Sequence, residues 1–98
     1  MAEEKVICET PTPGKKSTRI DKWKYEAVRR AILKSVPKNK TGIVFKTLPD
    51  QVELHLKPEE KAKLGSVGWY TTCVKLDLEV KGKIQRVVGR SPQRLIRT

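Results

Sequence analysis

Residues 65–82, GSVGWYTTCVKLDLEVKG, decide how the rest of the chain is read. The run opens on Gly65-Ser66, a turn residue followed by a helix N-cap type. It continues for about four helical turns without proline and closes on Gly82, the residue type that best tolerates the positive φ of a helix C-terminus. At about 100° per residue, Val67, Tyr70, Val74 and Leu78 share one side, while Trp69, Cys73, Leu76 and Val80 lie nearly opposite. A helix apolar on two sides is expected to sit wedged between other elements. Only the polar arc of Thr71, Thr72, Lys75 and Glu79 then remains for a partner.

Working outward from this central helix, the chain downstream predicts a hairpin. Ile84–Val88 and Gln93–Arg97 are strand-length runs around the turn Gly89-Arg90-Ser91-Pro92. Upstream, Pro58–Leu64 is a connector with room for one helical turn. A second helix precedes it, capped by Thr47, with Phe45, Leu48, Val52 and Leu56 on its inner side and Pro49 in its first turn. Ile43-Val44-Phe45 is a short β-prone run. The first helix follows Asp21 as N-cap and buries Tyr25, Val28, Ala31, Ile32 and Val36 before Pro37 stops it. The interior side of the second helix, with Ile84, Val87 and Leu95, is expected to cover the Trp69 side of the central helix. Residues 1–18 have no sustained period and contain Pro11, Pro13 and Gly14, which predicts a flexible N-terminal arm before a domain of residues 19–98.

Helix, short strand, helix, helix and two-stranded hairpin is the order of an α+β winged helix-turn-helix domain. It has three helices, a C-terminal two-stranded wing and a short strand after helix 1. The run SVGWYTTCVKLDLEVKGKIQRVVGRSPQRLIRT, and within it the GWYTTCVKLDLE core and the SPQRL ending, resembles a small family of uncharacterised bacterial proteins with a winged-helix-like fold. The resemblance implies a fold and no activity.

The net charge of +11 points to an anionic partner, nucleic acid first. Its distribution says more. Residues 15–46 hold eleven Lys or Arg against two acidic residues, a net of +9, and residues 81–98 hold six against none. Between them, residues 47–80 are slightly acidic, so the positive charge lies on two flanks. Winged-helix docking would place Ser66, Thr71, Thr72 and Lys75 in the major groove of double-stranded DNA. Lys15 and Lys16 of the arm, Arg29 and Arg30 of the first helix, and Arg86, Arg90 and Arg94 of the wing would meet phosphates. Asp77 and Glu79, further along the central helix, favour backbone-dominated contact over sequence readout.

Two other classes stay open. A protein-interaction module on the same fold, or a weak homodimer, would leave Trp69 or a neighbour uncovered. An RNA-binding protein would need exposed aromatics for base stacking, and no aromatic pair at strand spacing supplies them. An enzyme is not expected: the sequence has no Cys-His pair, phosphate loop or metal-ligand spacing, and it suggests no cofactor or small-molecule ligand. His55 stands alone, and Glu59-Glu60 is a surface pair. Cys8 and Cys73 are read as reduced thiols of a cytoplasmic protein. No apolar run approaches the roughly 20 residues that span a bilayer.

Overall fold

A computed structural model describes residues 4–10, 18–38, 42–87 and 93–98. In chain order these form β1 (Lys5–Cys8), β2 (Thr18–Asp21), α1 (Lys22–Ser35), β3 (Ile43–Val44), α2 (Leu48–Leu54), α3 (Pro58–Leu64), α4 (Val67–Val80), β4 (Ile84–Arg86) and β5 (Arg94–Arg97). A 3-10 turn, Phe45–Thr47, leads into α2. The architecture is mixed α+β, with two small antiparallel sheets. β1 pairs with β2, and β3, β5 and β4 form a second sheet in that order.

α1, α2 and α4 pack on one another, and the apolar spacing of each explains which side turns inward. α1 buries Val28, Ala31 and Ile32, α2 buries Leu48 and Val52, and α4 buries Val74 and Leu78. Ile84 and Leu95 close the core from the three-stranded sheet. α1 follows Asp21, as its sequence predicts. The Asp21 carboxylate makes no capping bond, however, and pairs with Lys5 instead.

Two short segments depart from the sequence reading. Residues 5–8, expected within a flexible arm, form β1, which sets Val6 opposite Ile20 and Cys8 opposite Thr18. Cys8 and Ile20 are buried by this pairing. The connector 58–64 is a seven-residue helix, α3. Pro58 sits in its first turn, and Glu60 Oε1 accepts the Lys57 N–H at 2.8 Å. That backbone bond, assisted by Arg30, holds the Glu60 carboxyl below its ordinary pKa despite partial desolvation.

α4 has the ends its sequence predicts. Ser66 Oγ accepts the Trp69 N–H at 3.1 Å, and Gly82 has φ +74° just past the last turn. Replacing Ser66 by Ala leaves that N–H without its cap and should cost about 1 kcal/mol. Thermal unfolding checks this as a fall in Tm of about 4–8 °C.

Candidate nucleic-acid interface

The rotational setting of α4 reverses part of what its periodicity suggests. The Val74/Leu78 side faces the core, and the Trp69 side is left open: Trp69 is 48% exposed and Val80 46%, with Cys73 and Leu76 half-buried between them. The expected cover from α2 and the hairpin is directed to Val74 and Leu78 instead. Part of the polar arc turns inward. Thr71 is fully buried, and its hydroxyl has no hydrogen-bond partner among the described residues.

Lys75 is only 2% exposed. Its ammonium donates to Gln93 Oε1 at 3.0 Å, lies 3.2 Å from Glu79 Oε1, and stands 4.4 Å from the centroid of the Phe45 ring. Burial lowers the Lys75 pKa, with Glu79 pulling the other way. Thr71 and Lys75 therefore cannot meet base edges. Lys75 instead ties α4 to Gln93 beside β5 and to Phe45 in the turn before α2.

The remaining residues expected at DNA divide into four groups. Arg30 Nη2 donates to Glu60 at 2.8 Å, tying α1 to α3. Arg86 Nε donates to Glu79 Oε1 at 2.9 Å, tying β4 to α4. Both arginines are committed to carboxylates inside the chain. Ser66 is occupied as the cap of α4, and Thr72, which is exposed, donates to the Gly68 carbonyl at 3.0 Å. Arg29 on α1 and Arg94 on β5 are half-buried. Lys15, Lys16 and Arg90 lie outside the described residues.

The fold nevertheless joins the two basic flanks. β3 belongs to the first flank and β5 to the second, and they pair directly, with Ile43 opposite Leu95 and Val44 opposite Arg94. The Pro37 carbonyl accepts the Arg97 N–H at 2.8 Å, and the Lys83 carbonyl accepts the Thr98 N–H at 3.1 Å. Lys38 and Lys83 thus flank the end of β5, close to the last turn of α1 with its Lys34. All three lysines are exposed and enter none of the ion pairs above. Neither residues 27–49 nor residues 80–98 contain an acidic residue, so this region is cationic by sequence as well as by placement.

Two further groupings are not evident from local sequence. Asp77, fully buried, accepts from Tyr25 Oη at 2.5 Å, from the Glu9 N–H at 2.9 Å and from Lys81 Nζ at 2.7 Å. The second grouping is aromatic. Lys24 Nζ lies 5.7 Å from the Trp23 ring centroid and 5.1 Å from that of Tyr70, and the Tyr70 and Trp69 centroids are 4.8 Å apart.

Among the described residues no group of three or more His, Cys, Asp or Glu side chains is placed to hold a metal ion, and no helix is long and apolar enough to cross a membrane. Burial pushes the Cys8 thiol up to about 12, with Asp77 adding to the effect, so it is a packed thiol rather than a nucleophile.

The chain is thus a small mixed α+β protein built round three packed helices, with a cationic sheet region. Residues 5–95 match the model of a family of unknown function, DUF6958, and the chain belongs to that family. No curated protein and no solved structure matches it.

Proposed function

We propose that the chain is a winged helix-turn-helix type of module that holds double-stranded DNA through its phosphates. The order α1, β3, α2, α4, β4, β5 and the sheet order β3-β5-β4 fit that architecture, with α3 as an added turn before the third core helix. The observation that carries the function is the pairing of β3 with β5. It brings residues of the two basic flanks side by side, in stretches that contain no acidic side chain between residues 27 and 49 or after residue 79. Such a surface attracts a polyanion by releasing its counterions.

The burial of Thr71 and Lys75, with Ser66 and Thr72 engaged by the backbone of α4 itself, weighs against base readout, so binding is assigned to the DNA backbone. Duplexes of scrambled sequence should bind alike in an anisotropy assay. The triple substitution Lys34→Ala, Lys38→Ala and Lys83→Ala should weaken all of them together. Unequal affinities among sequences, or no loss on the triple substitution, would count against the assignment.

A second reading, a protein-docking module on the same fold, is favoured by the open side of α4 from Trp69 to Val80. It requires a partner that buries that side. Substituting Leu76 and Val80 by Ser would abolish such an interaction while leaving duplex binding unchanged.

A further inference from the structure

Both tryptophans of the chain and one of its two tyrosines are linked through Lys24, although they come from the starts of two different helices. Trp23 is 37% exposed and Trp69 48%. The ammonium of Lys24 lies between the Trp23 and Tyr70 rings and is 3.3 Å from Tyr70 Oη, while Trp69 stands edge-on to Tyr70 with an interplanar angle of 85°. A hollow beside Trp23 is lined by Glu59, Glu60 and Lys63. Glu60 is already paired with Arg30, Lys24 lies 3.9 Å from Asp21, and Lys63 offsets Glu59, so the patch itself is close to neutral.

We propose that this patch is a stacking platform for unpaired nucleobases, a site separate from the lysines assigned to duplex phosphates. Exposed aromatic faces beside a cation, on a chain whose long-range field is strongly positive, combine the two things a single strand needs: flat apolar surfaces for its bases and attraction for its phosphates. Base stacking on an indole tolerates any sequence. A second copy of the chain is a poor occupant, because it brings another +11 to the same place. The inference extends the nucleic-acid reading to another strand form but does not depend on duplex binding.

The test uses the intact chain and an oligothymidylate of about ten nucleotides. Intrinsic fluorescence reports directly, since both tryptophans are in the patch. Binding should quench it, and an abasic strand of equal length should not. Trp69→Ala should weaken binding of labelled oligothymidylate by roughly tenfold, with Trp69→Phe restoring most of it. The exposed position of Trp69 lets these variants fold, which circular dichroism would verify. Equal affinity for the abasic strand, or no change on Trp69→Ala and Trp23→Ala, overturns the proposal and returns the aromatic patch to protein docking. A blunt duplex run in parallel separates the outcomes. Duplex binding without single-strand binding overturns the platform alone, and single-strand binding without duplex binding supports the platform while removing the duplex reading.

Discussion

Asp77→Ala should destabilise the protein by about 2–4 kcal/mol, because a fully buried carboxylate and the hydrogen bonds it accepts are lost while the half-exposed Lys81 returns to water. Asp77 is the junction of three segments: α1 through Tyr25, the chain after β1 through the Glu9 N–H, and its own helix through Lys81. Removing the carboxylate leaves the Tyr25 hydroxyl with Lys81 Nζ, 3.1 Å away, as its one remaining partner and takes the acceptor from the Glu9 N–H. Tyr25→Phe deletes one donor and should cost about 1.5–3 kcal/mol. Urea unfolding at neutral pH measures both losses. A change below about 1 kcal/mol for Asp77→Ala would mean that the junction is incidental.

The same junction sets an acid limit. Burial alone would raise the Asp77 pKa, but the bonds from Lys81, Tyr25 and Glu9 outweigh it and hold the carboxyl below its ordinary value. A depressed acid stabilises the fold above its unfolded pKa of about 3.9 and loses that contribution as pH falls through the lower folded value. Stability should therefore decline below about pH 4, and more shallowly in Asp77→Asn. Tyr25 acts at the other end. Burial, then the Asp77 bond, raises its pKa, so its contribution is full below about pH 10 and fades as pH rises beyond.

Gly42→Ala should cost about 2–4 kcal/mol and weaken DNA binding with it. Gly42 has φ +70°, a conformation that disfavours any side chain. An added Cβ would lie 2.5 Å from the Leu95 carbonyl oxygen and 2.9 Å from Ile96 Cγ2. The first neighbour is backbone of β5 and cannot rotate aside, so the variant must part β3 from β5, the pairing that unites the two basic flanks. Gly68→Ala is the contrast. A Cβ there meets nothing within 4 Å, and replacing glycine in a helix should be neutral or stabilising by up to about 1 kcal/mol. Thermal unfolding of the two variants side by side, with duplex affinity measured on each, checks the pair.

Much of the fold was legible because its long elements carry their own period. The stripe Tyr25, Val28, Ile32 in α1, the set Leu48, Val52, Leu56 around α2, and the strand-length runs that hold Ile84 and Leu95 are all visible in sequence. β1 and α3 were not. A four-residue strand shows hardly more than one repeat, and its partner lies beyond a Pro- and Gly-containing stretch. α3, Pro-Glu-Glu-Lys-Ala-Lys-Leu, is charged along most of its length and buries only Leu64.

Of the candidate site, the charge distribution was legible in sequence and the orientation of α4 was not. Periodicity says which residues of α4 share a side, but not which of two apolar sides the rest of the chain will cover. The Val74/Leu78 side is the one buried against α1 and α2, and this carried Thr71 and Lys75 inward and left Trp69 outside. Arg30–Glu60 and Arg86–Glu79 joined residues that sequence alone treats as independent surface charges. The approach of Lys24 on α1 to Tyr70 on α4 depends on how the two helices cross, which no local pattern encodes.

The most direct measurement is the salt dependence of affinity for a random-sequence DNA duplex, followed by anisotropy of the labelled duplex. Neutralising about five phosphates predicts a log–log slope of about −4 to −5. Each of Lys34→Ala, Lys38→Ala and Lys83→Ala should make that slope shallower by roughly 1, because each takes one cation away from the DNA backbone. A flat salt dependence, or no binding even at low salt, would contradict the assignment of this basic sheet region to nucleic acid.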